Sequence, residues 1–384
     1  MRTKGLSRRT VFAELKKIQR QDLKYEDGRI LSSMCTTPHP AARSAHQLFL
    51  SSNLGDAGLF PGSWRLEKEV IKKLALLLNG KDSVGFLVSG GTEANLLALW
   101  VARNMANVSN PEVILPESAH FSFTKICDLL RLKAVYASLD SSYRVDPSSV
   151  EKSINMNTVA IVGTAGTAEL GVIDPIDKLS EIASEHRVYL HVDAAFGGLV
   201  IPFLKEIGCD TADFDFRLEG VKSVTVDPHK MGMTTIPAGG ILFRDASYLD
   251  CVKTETPYLT EEFQYTFVGT RTGASAAATY AVFESLGREG FRKTIARCMK
   301  LTKFLASRLE LLSFKLVAQP TLNIVAFRSS NSKLLSEKLR ERGWLVSYVP
   351  RLDCLRIVVM PHLRRHHVAA FLKDLSEIAE PKIE

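Results

Sequence analysis

From about residue 80 to residue 245 the chain alternates short apolar runs with amphipathic ones, and no other feature narrows the possible folds as much. "PEVILP" (111–116), "KAVYASL" (133–139), "TVAIVGTAG" (158–166), "RVYLHVDAA" (187–195), "SVTVD" (223–227) and "AGGILFR" (238–244) read as strands. Between them, 93–107, 121–131 and 174–186 carry helical periodicity, the last with Asp174 as N-cap and Pro175 in its first turn. Strands separated by helices in this way pack as a mostly parallel sheet covered by helices, an α/β fold. Ligands of such sheets sit outside the carboxyl ends of the strands.

After a helix near 272–286 the pattern changes. Residues 290–312 read as helix, then "NIVAFRS" (323–329) as strand, 331–342 as helix, "WLVSYV" (344–349) and "CLRIVVM" (354–360) as strands, and a last helix starts at about 363. That is a compact α+β unit. Residues 1–60 are less regular and read as an arm that wraps onto something else. Within it Ser7 caps a helix whose Val11, Phe12, Leu15 and Ile18 form one stripe, to be packed on this chain or on a twin subunit. The expected division is therefore an N-terminal arm over 1–60, a large domain over 61–286 and a small C-terminal domain over 287–384, a comfortable arrangement for this length.

Composition removes several classes of function. The mean hydropathy is +0.03, no apolar run approaches the ~18–20 residues of a membrane span, and the N-terminus lacks the uninterrupted apolar core of a secretory signal. The six cysteines (35, 127, 209, 251, 298 and 354) are widely spaced with no C-x-x-C pair, so neither a disulfide framework nor a metal site is expected, and a reduced cytoplasm is the natural location. The formal charge of +7 is scattered, without a basic run or interleaved aromatics. It suits an acidic small molecule or a phosphate; no nucleic-acid or membrane partner is expected. An RNA-binding or scaffold protein without catalysis remains only as a remote alternative.

Four stretches carry the chemistry. In "VSGGTEANLLAL" (88–99), Gly90, Gly91 and Thr92 lead straight into an amphipathic helix, so free N–H groups and the positive helix end converge on one point. Alone, the same turn serves equally as a plain cap with Thr92 as N-cap. In "YLHVDAAFGG" (189–198), His191, Asp193 and Ala195 share a strand face, and an aspartate ending so apolar a strand is costly unless it finds a cation or several donors. "PESAHFSF" (116–123) places His120 just after a strand. "GTRTGASA" (269–276) is a second small-residue turn before a helix. To these the strand "SVTVD" adds Lys230, in "DPHKMGM" just past Pro228.

Together they supply what pyridoxal 5'-phosphate needs: an amine for a Schiff base, an anion for the ring nitrogen, a phosphate cradle and flat surfaces on both ring faces. Lys230 provides the amine, Asp193 the anion, Gly91 and Thr92 the cradle, while His120 covers one face and Ala195 the other. At ~2.8 Å and an effective dielectric of ~20, the Asp193 pair with the ring attracts by roughly 6 kcal/mol before desolvation. Half of that raises the ring's pKa by about two units, which keeps it protonated and electron-withdrawing.

"HVDAAFGG" and "DPHKMGM", with "SGGTEAN" and "SAHFSF" upstream, resemble the fold-type I, group II pyridoxal-phosphate amino-acid decarboxylases, and within them most the archaeal L-tyrosine/L-aspartate decarboxylases. "SSMC" (32–35), "NLGDAGLFPG" (53–62) and "RIVVMPH" (356–362) extend the similarity over nearly the whole chain. The resemblance implies Lys230 as the Schiff-base lysine, Asp193 on the ring nitrogen, His120 stacked on the ring, and Gly91 and Thr92 at the phosphate with His229 nearby. It also implies a homodimer with the site at the interface and "GTRTG" reaching in from the partner. Arg356 and Arg271 are candidates for a substrate carboxylate, and Tyr258, Tyr265 and the freed Lys230 for the proton donor to Cα.

Two departures stand out: Asp56-Ala57-Gly58 where the family has Asp-Pro-Gly, and Gly166-Thr167-Ala168 where it often has Gly-Thr-Thr, so Thr167 receives no role. The expected reaction is decarboxylation of L-tyrosine to tyramine, L-aspartate to β-alanine, or both, for methanofuran or coenzyme A synthesis. A lyase, desulfurase or aminotransferase on the same scaffold is the alternative. A basic side chain in "SSMCTTPHP" or in the 256–268 loop would favour aspartate.

Overall fold

Each apolar run read as a strand between 111 and 244 lies in one seven-stranded sheet of the computed structural model, which describes residues 1–106 and 108–379. Helices α1 (Arg8–Gln19), α2 (Pro40–Leu48) and α3 (Pro61–Leu77) precede strand β1 (Val84–Val88). There follow α4 (Gly91–Met105), β2 (Glu112–Pro116), α5 (Ser122–Leu130), β3 (Lys133–Ala137), α6 (Pro147–Ser153) and β4 (Thr158–Thr164). Next come α7 (Ile176–Glu185), β5 (Tyr189–Asp193), the single turn α8 (Ile201–Leu204), β6 (Val221–Val226) and β7 (Gly239–Phe243). The strand order is β1-β7-β6-β5-β4-β2-β3; β7 runs antiparallel to both its neighbours and the other pairs are parallel. This is the mostly parallel α/β sheet expected.

Strand β1 was not legible. "VGFLV" is short, only partly buried, and contains Gly85, a residue that ordinarily weakens a strand. Close packing requires that glycine: a Cβ there would lie 2.0 Å from the carbonyl oxygen of Ile241 on β7.

Helices cover both faces of the sheet, and the period of two along β5 sorts its side chains. Leu190 and Val192 join the core formed with Leu74, Leu199 and Val224, whereas Tyr189 packs on the α4 side with Leu97, Val101 and Phe123. His191 and Asp193 share the parity of Tyr189 and therefore face α4. Asp174 does not cap α7, as the sequence suggested. Pro175 takes the cap position, while the buried Asp174 carboxylate accepts the N–H groups of Val145 and Thr164, each at 2.8 Å. Burial pushes that carboxyl up to about 6.

A two-stranded hairpin, β8 (Thr254–Glu255) and β9 (Phe263–Gln264), precedes α9 (Gly273–Leu311). The two helices expected near 272–286 and 290–312 are the two halves of α9, separated by a kink at Gly287, whose φ of 54° and ψ of −173° are not helical and suit glycine. The remainder is β10 (Lys315–Leu316), β11 (Ile324–Arg328), α10 (Ser332–Glu341), β12 (Ser347–Val349), β13 (Cys354–Val358) and α11 (Arg365–Ala379). These strands form an antiparallel sheet in the order β10-β11-β13-β12, with its own core of Leu305, Leu309, Phe327, Trp344, Leu355 and Phe371. The last residue of the helix expected over 93–107, and residues 380–384 of the expected C-terminal unit, lie outside the described residues.

The arm is pinned at several places. Leu31 exchanges backbone hydrogen bonds with the small unit, and Leu54 donates to Arg271 O. Ser7 caps α1 by accepting the Thr10 N–H at 3.2 Å, as read. The stripe of α1 does not pack on its own chain, however: Val11, Phe12, Leu15 and Ile18 remain 38–57% exposed. Among the described residues no helix is long and apolar enough to cross a membrane.

Candidate active site

The parallel strands β1, β2, β4, β5 and β6 present their carboxyl ends on one side of the sheet, and the turns leaving them enclose a cavity of about 400 Å³. Gly91 and Thr92 follow β1, His120 follows β2, Asp193 ends β5, and His229 and Lys230 follow β6; all of them line this cavity, as does Ala195. Residues separated by more than a hundred positions meet here because parallel strands place equivalent ends side by side.

At the first of these turns, no side chain among the described residues caps α4. The backbone N–H groups of its opening turn therefore face the cavity with the helix's partial positive charge. The turn is built close to the strand ends: a Cβ on Gly91 would lie 3.0 Å from Asp227 Oδ2 and 3.2 Å from Ala195 Cβ. Ser89 is tied down separately, its N–H donating to Glu93 Oε2 at 2.8 Å.

The Asp193 carboxylate is buried and held by two donors. Ala195 N–H donates to Oδ1 at 3.1 Å and Asn95 Nδ2 donates to Oδ2 at 2.9 Å. Hydrogen bonds to the ionised form offset the cost of burying the charge. Asp193 and Lys230 face the same cavity, and the carboxylate acts on the ammonium electrostatically.

Lys230 Nζ lies 3.0 Å from Asp227 Oδ2. Burial by itself would lower the lysine's pKa, but the Asp227 carboxylate, with Asp193 behind it, outweighs burial and raises it. Among the described residues Asp227 Oδ1 is buried without a partner. His229 Nδ1 accepts the Ala238 N–H at 3.2 Å, and its Nε2 sits 3.7 Å from Asp227 Oδ2. Burial depresses the His229 pKa against the pull of Asp227.

His120 is fixed by the start of α5. Its Nδ1 accepts the N–H of the buried Ser122 at 3.2 Å and lies 2.9 Å from the Ser122 hydroxyl. Burial lowers its pKa, with Asp193 opposing. The imidazole is therefore a neutral ring over the cavity rather than a cation.

Other candidates lie elsewhere. Arg271 is not available to a ligand in this cavity: its guanidinium pairs with Glu67 and donates to Leu87 O at 2.7 Å. That pairing satisfies a buried charge and corrects its assignment as a substrate anchor. "GTRTG" serves as a cap, Thr272 Oγ1 accepting the Ala274 N–H at 3.2 Å. Arg356 spends its terminal nitrogens on Ala168 O, at 2.6 Å, and on Ser32 O, while its buried Nε has no partner. Burial lowers its pKa. Tyr258 is 87% exposed, and Tyr265 stacks on Phe86 with ring centroids 5.8 Å apart, outside the Lys230 cavity. Thr167 accepts the Val172 N–H at 3.3 Å and so closes a turn, whereas Ala168 lines the cavity.

The sequence reading passed over Asp227, Asn95, Thr164 and Met34, which also line the cavity. Two of them carried a usable signal. Asn95 is the polar residue in an otherwise apolar stretch of α4, one turn after Gly91 and on its face of the helix. Asp227 is the last residue of "SVTVD", an acid closing a buried strand just as Asp193 does. Met34 gave none, since an arm's path across a sheet has no local pattern.

The family model for the pyridoxal-dependent decarboxylase conserved domain matches residues 52–330. A protein of Methanothermobacter thermautotrophicus named probable L-tyrosine/L-aspartate decarboxylase is 54% identical over 356 residues, 92% of this chain and 98% of that protein. The L-aspartate decarboxylase of Thermococcus kodakarensis is 48% identical over 380 residues, 98% of each chain. The L-aspartate/L-glutamate decarboxylase of Pyrococcus horikoshii is 46% identical over 377 residues, 97% of this chain and 98% of that one. Among solved structures, the sphingosine-1-phosphate lyase of Burkholderia pseudomallei superposes with a TM-score of 0.92 at 30% identity, covering 98% of this chain and 91% of that one.

Proposed function

The chain belongs to the pyridoxal-dependent decarboxylase family, and from that premise we propose that it decarboxylates L-aspartate to β-alanine, with L-tyrosine as the second substrate to test. The enzyme is a pyridoxal-phosphate-dependent amino-acid decarboxylase; the substrate and the residue roles are our reading. Aspartate is the amino acid common to the names of the three relatives above, which supports it first. The observation that carries the residue roles is the single cavity joining the Lys230 amine, the doubly tethered Asp193 carboxylate and the uncapped start of α4.

The residues present fit pyridoxal phosphate. An uncapped helix start suits a phosphate, Thr164 Oγ1 is buried in the cavity wall without a partner, and a larger residue at Gly91 would fill the cradle. When bound, the cofactor supplies a protonated aromatic ring that accepts the electron pair released from the Cα–carboxylate bond.

The chain's own residues do the rest. Lys230 would hold the cofactor through its Nζ. Asp193, held in place by two donors, would face the ring nitrogen as its counter-charge and favour the protonated ring. Gly91 and Thr92 bind phosphate through the backbone, with His229 beside them. His120 and Ala195 bound the slot for a flat ring, and a neutral His120 does so without competing for Asp193. Arg356 is the remaining candidate for a substrate carboxylate, because Ala168, whose carbonyl it binds, lines the cavity. Of the three proton-donor candidates Lys230 alone lies in this cavity; it returns the proton to Cα, with Asp227 steadying the ammonium beforehand.

The exposed stripe of α1, with Leu48, Leu50, Leu59 and Phe267 also exposed, supports a homodimer with the site at the interface, which would bring a partner's loop to the cavity. The reaction is tested by incubating purified holoenzyme with L-aspartate, L-tyrosine and L-glutamate and measuring carbon dioxide and amine. β-Alanine from aspartate is expected; tyramine alone would transfer the assignment to tyrosine. Carbon dioxide from none of them would overturn it.

A further inference from the structure

We propose that Asn95 is a positioning residue which, locked by Thr225 and His191, keeps the Asp193 carboxylate turned to the cofactor's ring nitrogen and away from Lys230. The proposal rests on the reading of Asp193 as the partner of that nitrogen.

Asn95 has three side-chain partners and is itself 1% exposed. Its Nδ2 donates to Asp193 Oδ2 at 2.9 Å, while its Oδ1 accepts from Thr225 Oγ1 at 2.7 Å and faces His191 Nε2 at 2.9 Å. Beyond it, His191 Nδ1 lies 2.8 Å from Ser223 Oγ. Strand register assembles the set, because His191 on β5 sits beside Ser223 on β6 and Asp193 beside Thr225. One helix and two strands thus converge on one amide.

The donors fix which way the amide points. A neutral imidazole that accepts the Ser223 hydroxyl proton at Nδ1 carries its own hydrogen at Nε2. That N–H and the Thr225 hydroxyl fill both lone pairs of Asn95 Oδ1. Turning the amide over would set its carbonyl against the Asp193 carboxylate and its NH2 against another N–H. The amide donor therefore always faces Asp193.

Competition for Asp193 gives this orientation its use. The Lys230 ammonium acts on the same carboxylate across the cavity, and without Asn95 the Ala195 N–H is the one donor among the described residues left to resist rotation toward it. A donor on Oδ2 holds the carboxylate where the ring nitrogen needs it, whether Lys230 is attached or free.

The test uses full-length Asn95→Leu and Thr225→Val, both close in shape, with Asp193→Asn as reference. Four quantities are read: the dissociation constant for pyridoxal phosphate from visible absorbance, kcat, KM and the melting temperature. Losing one hydrogen bond to a buried charge is expected to weaken cofactor binding roughly tenfold and lower kcat about ten- to a hundredfold, with KM within about threefold. Thr225→Val should move the same quantities in the same direction by less, since Asn95 stays but is free to turn. If Asn95→Leu and Thr225→Val keep normal cofactor affinity and kcat, whatever their melting temperatures, while Asp193→Asn loses both, Asn95 is structural and the proposal fails. If Asp193→Asn is also unchanged, the ring-nitrogen reading itself fails.

Discussion

Asp227 Oδ2 lies 3.0 Å from Lys230 Nζ, and the other oxygen of that carboxylate is buried with no partner among the described residues. The backbone turn after β6, where Lys230 N–H donates to Asp227 O at 3.0 Å, folds the two side chains onto the same point. Before the cofactor is attached, the pair neutralises a charge that burial alone would expel.

Asp227→Asn should leave Lys230 without its nearest counter-charge. For the cofactor-free protein we expect a loss of about 2–3 kcal/mol at pH 7, read by urea unfolding, because breaking a buried pair strands one charge. Lys230's folded pKa is raised, so the stabilisation is fully present below the ordinary lysine value of 10.5 and fades as pH rises through the raised one. The gap between wild type and variant should therefore narrow only in strong alkali. A gap that stays the same from pH 7 into that range would show that no ion pair is involved.

Lys230→Ala should abolish turnover while some pyridoxal phosphate still binds without a covalent bond. Borohydride treatment of wild-type holoenzyme should add the cofactor's mass to the peptide containing Lys230, and the variant should gain nothing. Covalent labelling at a different lysine in the wild type would remove the assignment.

Gly239→Ala tests the phosphate cradle from the far side. Gly239 is on β7, and a Cβ there would lie 2.4 Å from Gly90 Cα, a backbone atom that cannot yield without moving the turn into α4. We expect cofactor affinity to fall by about tenfold or more, measured by absorbance titration, with the fold retained by circular dichroism. Unchanged affinity would mean that the turn is not the cradle.

His191 predicts acid sensitivity. Burial drives its folded pKa down to about 4 from 6.5. As pH falls through that window the unfolded chain takes up a proton that the folded one refuses, so stability declines, by up to about 3 kcal/mol. His191→Gln keeps a polar side chain but does not titrate. Its stability relative to wild type should rise as pH drops from 6.5 to 4, and a difference that stays flat would exclude a neutral buried imidazole.

Much of the architecture was legible because periodicity is local. Six of the seven strands of the main sheet announced themselves by apolar runs between turn formers; β1 did not, since Gly85 reads as a strand breaker until β7 is seen pressing on it. The gap between the helices near 272–286 and 290–312 was legible too, since Gly287 lies in it and its φ of 54° and ψ of −173° leave the helical region. Asp174 had the local features of a cap, yet two backbone N–H groups from elsewhere claimed its carboxylate. Arg271 looked like a free cation in a small-residue turn, and Glu67, far away in sequence, had already paired with it.

By itself the sequence determined the elements, their buried faces and the residue types gathered at the strand ends, because helix and strand periods depend only on near neighbours. Tertiary structure alone decided which group meets which: Asp227 against Lys230, Asn95 against Asp193, Glu67 against Arg271. A hydrogen bond or ion pair depends on ångström-scale placement of groups carried by different elements, and that placement exists only once the sheet has closed its register and the helices have docked on it.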